Sequence, residues 1–333
     1  MATKVAVIGA GSWGTAVAAI TSRNAPTVLW ARRPEVAQQI TADHGNAYLP
    51  DVALPEQLTA TADLEEALSE ADVVVMGVPS HGFRDVLARG APAISAGVPV
   101  ISLSKGVEQH TLKRMTEVVG ELLPDHPAGV LTGPNLAKEV LSGYPAASVV
   151  AMADEGIAQE LQGLFGTESF RVYTNPDVVG CEVAGALKNV MAIAAGMADG
   201  MGFGDNTKAA LMTRGLAELT RLGVALGGQP LTFSGLAGMG DLVATCMSRQ
   251  SRNRHVGEQL GRGRTLDEIV AEMNMVAEGV KTSRAVVDLA AAAGIEMPIA
   301  EQVVAVLYGG SAAADAIPAL MLRQAKPELH GIG

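Results

Sequence analysis

The chain has 333 residues, 48% hydrophobic and 18% charged, which suits one large or two ordinary globular domains and excludes a disordered chain. Its 24 basic and 35 acidic residues leave a net charge of −11, a poor match for nucleic acid or an anionic membrane surface. Two cysteines, Cys181 and Cys246, cannot build a disulfide framework, and the six histidines lack metal-ligand spacing, so no metal site and a reduced, cytoplasmic setting are expected.

From Lys4 to about Thr174, short β-rich apolar runs alternate with helical patterns. The runs lie at 5–8, 27–30, 73–78, 98–103, 129–132, 148–152 and 170–173. They are near-continuous rather than alternating, as in strands buried on both faces. Helical stretches at 15–22, 63–70 and 111–123 fall between them. Strand–helix–strand repetition predicts an α/β domain with a doubly wound, mostly parallel sheet. After Asn175-Pro176-Asp177, a helix-start signal, the pattern changes. Helices are expected at 178–198, 208–226, 265–274, 282–293 and 300–307, with few strands. The boundary is placed near residue 176, giving a dinucleotide-binding domain at 1–176 and an all-α domain at 177–333. The tail from 324 onward reads as frayed. No apolar stretch reaches the roughly 18 charge-free residues of a membrane helix, so no integral membrane segment is expected. The run from Val5 to Ile20, preceded by Lys4, imitates a signal peptide, but its spaced glycines argue against one.

Gly9-Ala10-Gly11-Ser12-Trp13-Gly14 is G-x-G-x-x-G, directly after a four-residue apolar run and directly before a helical stretch. In that context Gly9 makes the turn, Gly11 lets the backbone approach a pyrophosphate, and Gly14 allows close helix–strand packing. The helix N-terminus then supplies backbone N–H groups to the phosphates, a Rossmann-type arrangement. An acidic residue about 20 positions on would favour NAD. Here Ala31-Arg32-Arg33 stands in that place, and two guanidiniums suit a 2′-phosphate. The reading is NADPH acceptance with NADH also usable; the alternative is a pair of solvated arginines.

Ser104-Lys105-Gly106 and Gly133-Pro134-Asn135-Leu136-Ala137 each follow an apolar run, and so fall at the carboxyl edge of the sheet, where ligands bind. Lys188 sits among Ala184, Leu187, Met191 and Ala195 at helical spacing. A lysine buried on such a stripe loses its proton more easily and suits general acid/base work; a lysine snorkelling from the stripe edge is the alternative. Residues 249–264 hold five arginines in an acidic chain. Arg252-Asn253 at a helix start offers a fork of donors plus free backbone N–H groups to a phosphate. A solvated basic helix is the alternative.

Together, GAGSWG, LSKG, GPNLAKE, EVAGALKNV, GLAGMGDLVATC, SRQSRNR and VAEGVKT, in order along essentially the whole chain, resemble the NAD(P)-dependent sn-glycerol-3-phosphate dehydrogenases of the bacterial soluble type. The resemblance implies a cytoplasmic homodimer that interconverts glycerone phosphate and sn-glycerol 3-phosphate with NADPH or NADH, mainly for phospholipid synthesis. It implies that Lys188 is the catalytic proton donor and acceptor. Lys105 matches a lysine that reaches both cofactor and substrate. Arg252 and Asn253 match phosphate binders, with Arg252 also near the cofactor. Asn189, Asp241, Thr245 and Ser251 match residues around the substrate, Asp241 orienting Lys188. Ser12, Trp13, Arg32, Arg33, Ala137, Val276 and Glu278 match cofactor contacts. Bacterial members often carry G-P-S-F-A where this chain has Gly133 and Asn135 in G-P-N-L-A, and the eukaryotic branch often has Asn there, which implies substrate contact. A hydroxy-acid or hydroxyacyl dehydrogenase is the nearest rival, and the Ser251-Arg252-Asn253 cluster argues against it. A nucleotide-sensing protein without catalysis is opposed by Lys105, Lys188 and Asp241 together.

Overall fold

In the computed structural model, which describes residues 3–273 and 277–328, the apolar runs of the first half become strands of one eight-stranded sheet. The strands are β1 Val5–Ile8, β2 Thr27–Trp30, β3 Thr59–Thr61, β4 Val73–Met76, β5 Val100–Ser102, β6 Ala128–Thr132, β7 Ala146–Ala151 and β8 Phe170–Asn175. The helices between them are α1 Ser12–Thr21, α2 Pro34–Asp43, α3 Leu64–Leu68, α4 Ser80–Gly90, α5 Met115–Leu122, α6 Ala137–Leu141 and α7 Glu155–Phe165. The sheet order is β3-β2-β1-β4-β5-β6-β7-β8, parallel except where β6 meets β7. Val5 pairs with Thr27 on one side and Val73 on the other, so β1 is central. Every residue of β1 and β4 is buried, which explains why their sequences run apolar without alternation. This is the Rossmann-type doubly wound order, and its direction reverses between β1 and β4, where the carboxyl ends of strands open a crevice.

Two local features depart from expectation. The edge strand β3 is short and polar, Thr-Ala-Thr, and carries no apolar signal. The helix expected from residue 111 starts at Met115, because His110 and Leu112 adopt left-handed backbone angles, φ 73° and 60°, that a helix cannot contain.

The chain divides into two compact units. One comprises the residues up to Ser104 with Arg114–Val178; the other comprises Lys105–Lys113 with the chain from Val179 onward. The short excursion 105–113 is thus counted with the helices, whereas a boundary at 176 leaves it with the sheet. Val107 belongs to the helical core, and Gln109 donates to the Lys281 carbonyl at 3.0 Å.

The second unit is built around α8 Val178–Gly200, buried from Gly180 to Ala198. By length and composition α8 could cross a membrane, but 89% of its most apolar window is buried. Eight further helices follow among the described residues: α9 Asp205–Ala225, α10 Pro230–Phe233, α11 Asp241–Met247, α12 Arg252–Gly261, α13 Leu266–Glu272, α14 Glu278–Ala292, α15 Pro298–Tyr308 and α16 Ala313–Met321. A π-helical turn, Leu236–Gly240, leads into α11. Helices α8 and α12 cross at glycines. A Cβ on Gly196 would lie 2.0 Å from the Arg254 carbonyl oxygen, and one on Gly257 would lie 2.0 Å from that of Ile193. Only glycine permits this approach, and it fixes the middle of α12 against the C-terminal part of α8.

Candidate functional site

In the first unit the turn between β1 and α1 is shaped by its glycines. Gly9 has φ +122°, and a Cβ on Gly14 would lie 2.0 Å from the Gly9 carbonyl oxygen. Gly11 differs: a Cβ there would meet nothing within 4 Å. The turn is therefore closed beneath and open above Gly11, where the first amides of α1 lack intrahelical acceptors. That is the cradle a dinucleotide pyrophosphate needs, and this chain fits one. Ser12 turns its hydroxyl to the Tyr48 carbonyl at 3.1 Å. The Trp13 ring meets Phe170 edge to face at 6.1 Å, and its buried Nε1 has no hydrogen-bond partner. Arg32 and Arg33 are both exposed just past β2. Arg33 donates to the Tyr48 hydroxyl at 3.1 Å and lies 3.7 Å from Glu35.

After β6, Gly133 takes φ +138°, and a Cβ there would press on the Ser148 backbone at 3.2 Å. Asn135 donates to the Ser148 hydroxyl at 3.1 Å, and that hydroxyl donates to the Thr132 carbonyl at 2.7 Å. The Asn135 side chain is thus tied back to β7, with its Oδ1 buried and unpartnered. Ala137 is the first residue of α6.

In the second unit, three ionisable side chains far apart in sequence form one buried cluster. Lys188 on α8 places Nζ 2.7 Å from Asp241 Oδ1 and 2.6 Å from Thr245 Oγ1. Thr245 donates in turn to Asp241 Oδ1 at 3.1 Å. Lys105 reaches the other carboxylate oxygen, Oδ2, at 2.6 Å. The Lys188 side chain is 7% exposed and Asp241 only 2%, so the snorkelling alternative is excluded. Burial by itself would raise the Asp241 carboxyl, but the two ammoniums outweigh it and hold Asp241 below its ordinary range. Burial brings the Lys105 ammonium down to about 8, against the pull of Asp241 and with the push of Lys188. With both lysines charged, the cluster carries one surplus positive charge, so it favours an anion beside it.

A run of amides joins this cluster to α12. The Gly279 N–H donates to Asn253 Oδ1 at 2.9 Å, Asn253 donates to Asn189 Oδ1 at 2.9 Å, and Asn189 donates to the Lys105 carbonyl at 3.0 Å. The Asn253 side chain, expected to face a phosphate, thus commits its oxygen and one of its two N–H groups to this run. The Ser251 hydroxyl accepts from the Arg254 N–H at 3.2 Å, capping α12 and leaving the first two helical amides, those of Arg252 and Asn253, at the open end. Arg252 is exposed at that end, with Glu278 as an electrostatic partner. The other arginines divide. Arg262 pairs with Glu258 and Arg264 with Glu272 toward solvent, as the solvated-helix alternative has it, whereas Arg254 is mostly buried in its pair with Asp199 of α8 at 2.6 Å.

The structure therefore gathers Lys105, Lys188, Asn189, Asp241, Thr245, Ser251, Arg252 and Asn253 in the second unit, with Glu278 beside Arg252. In the first unit it gathers Gly9, Gly11, Ser12, Gly14 and Arg33. Val276 lies outside the described residues. Sequence reasoning missed Asn46 and Tyr48, which brace the glycine turn across more than thirty residues; no local pattern marks them. The Cys246 thiol is buried and pushed up to about 12, which makes it a packing residue rather than a nucleophile. Among the described residues no group of three or more His, Cys, Asp or Glu could hold a metal ion.

Comparison with known proteins adds the following. The profile of the NAD-dependent glycerol-3-phosphate dehydrogenase N-terminus matches residues 4–158, and that of its C-terminus matches residues 177–318. A glycerol-3-phosphate dehydrogenase [NAD(P)+] of Sphingopyxis alaskensis is 57% identical over 331 residues, covering 99% of both chains. One from Mycobacterium avium is 55% identical, covering 99% of this chain and 97% of its own. The crystal structure of glycerol-3-phosphate dehydrogenase from Coxiella burnetii superimposes with a TM-score of 0.93 at 37% identity, covering 97% of this chain and 99% of that one.

Proposed function

The chain belongs to the NAD-dependent glycerol-3-phosphate dehydrogenase family, and from that premise we propose that it interconverts glycerone phosphate and sn-glycerol 3-phosphate with NAD(P)H. The observation that carries the reading is the Lys188–Asp241–Lys105 cluster, tied through Asn189 to the phosphate-ready start of α12.

The first unit holds the dinucleotide through the open face of Gly11 and the leading amides of α1, with Arg32 and Arg33 facing a 2′-phosphate. The bound nicotinamide supplies the hydride. In the second unit, an ammonium has three N–H groups. Lys188 spends one on Asp241 and one on Thr245, which leaves the third for the C2 oxygen of the ketone. As negative charge grows on that oxygen, Lys188 gives it a proton, and in the reverse direction takes one back. Asp241 keeps the ammonium oriented, and the surplus positive charge of the cluster stabilises the developing alkoxide. Arg252 and the leading amides of α12 hold the substrate phosphate, whose binding energy positions C2. The same reading carries a homodimeric assembly, a cytoplasmic setting and the supply of glycerol 3-phosphate to phospholipid synthesis, all of which rest on the resemblance.

The test is NADPH oxidation with glycerone phosphate, against unphosphorylated dihydroxyacetone. Wild type should turn over the phosphate ester far faster. Arg252→Ala should lower kcat/KM for glycerone phosphate by the equivalent of about 2–4 kcal/mol and leave dihydroxyacetone nearly unaffected. Equal losses on both substrates would remove the phosphate-clamp role.

A further inference from the structure

The loop after α2 turns back onto the glycine turn. Its anchor is Asn46, 3% exposed, which donates to the Ala10 carbonyl at 3.1 Å and to the Thr15 hydroxyl at 2.8 Å. Its own Oδ1 accepts the Tyr48 N–H at 2.9 Å. Tyr48 is thereby held at both ends of its backbone, since its carbonyl accepts the Ser12 hydroxyl at 3.1 Å. The phenol accepts a hydrogen bond from Arg33 Nη2 at 3.1 Å, and the guanidinium carbon lies 5.7 Å from the ring centroid. Glu35, 3.7 Å from Arg33 Nε, is the other group that holds this guanidinium.

We infer that Tyr48 is a specificity-determining residue for the cofactor 2′-phosphate, acting by presetting Arg33. The inference rests on the proposed NADPH use. An exposed arginine past β2 samples many rotamers and must lose them to clamp a phosphate. A phenol carried on a backbone that Asn46 and Ser12 hold at both ends restricts that sampling before the ligand arrives, which is how preorganisation raises affinity. One guanidinium N–H goes to Tyr48, and four of the five remain for a phosphate and for Glu35. NADH, without the 2′-phosphate, gains nothing from the arrangement.

Calorimetric titration of the full chain with NADPH and with NADH, with no substrate present, tests this. Tyr48→Phe keeps the ring and its packing and removes only the hydroxyl. It should weaken NADPH binding about fivefold, the scale of one ordinary net hydrogen bond, and change NADH binding by less than about twofold. Arg33→Met provides the ceiling for the same loss. If Tyr48→Phe leaves NADPH affinity unchanged, or weakens both cofactors alike, the role assigned to Tyr48 is wrong. If wild type binds NADPH no more tightly than NADH, the NADPH reading itself falls and this inference with it. A loss seen in Arg33→Met but not in Tyr48→Phe overturns the inference and leaves the NADPH reading standing.

Discussion

The glycine turn of the first unit and the lysine cluster of the second prepare for negative charge by opposite means. The turn uses backbone: missing side chains at Gly9, Gly11 and Gly14, and amides left over at the start of α1. Its partial charges are fixed, cost no desolvation on folding and do not titrate. The cluster uses full charges that have been taken out of water, with Asp241 shared between two ammoniums. Buried charges repay their desolvation only when all partners are present. A backbone cradle therefore suits a permanent anion such as a pyrophosphate, and a titrating cluster suits a charge that appears and vanishes during turnover.

The sharpest way to break this contrast is Lys188→Ala. It should lower kcat by about 10²- to 10⁴-fold, the usual range for a lost general acid, while NADPH binding followed by fluorescence survives. A kcat within about threefold of wild type would show that another group moves the proton.

Two glycine substitutions sharpen the other side. Gly14→Ala forces a methyl onto the Gly9 carbonyl and should cost about 1–3 kcal/mol of stability, read as a lower denaturation midpoint. Gly11→Ala meets open space, so stability should hold while cofactor affinity falls by about tenfold from the lost close approach. Equal stability losses in the two variants would contradict the division between floor and open face.

The titrating side makes its own prediction. Lys105 is charged below about pH 8 and neutral above it. If its charge serves substrate binding, kcat/KM should fall as pH rises through about 8, and Lys105→Met should lose that limb along with most activity. Stability runs the other way. The unfolded lysine titrates near 10.5, so the native state binds fewer protons between about 8 and 10.5 and should gain stability across that window. A wild-type kcat/KM flat from pH 7 to 9 would separate Lys105 from the chemistry.

The smallest effect lies away from both sites. Glu218 on α9 accepts from the N–H groups of Ile299 and Ala300 at the start of α15, at 2.9 and 3.4 Å. Burial pushes its carboxyl up to about 7 from 4.5. The stability tied to its raised value is fully present below pH 4.5 and lost as pH rises through 7. Glu218→Gln should flatten the melting temperature against pH in that window and leave kcat untouched. An unchanged slope would place the proton uptake elsewhere.

How much of this was legible in the sequence follows from how far each feature reaches. The glycine turn spans six residues, so the motif and its flanks state its backbone course, though not the bracing by Asn46 and Tyr48. The sheet was readable where strands are buried on both faces, and unreadable at β3, a three-residue edge strand that sends only Ala60 toward the core between two threonines. The cluster is different. Lys188 meets Asp241 across 53 positions and Lys105 meets it across 136. Apolar neighbours at helical spacing could not say whether Lys188 was buried or snorkelling, because the deciding partners sit on α11 and in the 105–113 excursion. For the same reason the family resemblance could name Asn253, but not that its side chain braces Asn189 and Gly279.

The glycine crossing of α8 and α12 acts as a gauge block. Lys188 stands on α8 and Arg252 on α12, and the close approach of Gly196 to Arg254 and of Gly257 to Ile193 sets the spacing between the two helices. A single methyl inserted there would lengthen the span. If Lys188 meets the ketone oxygen and Arg252 the phosphate, as proposed, that crossing sets the reach between them, and variants that resize it should change which chain lengths fit before they change how fast a fitting substrate reacts.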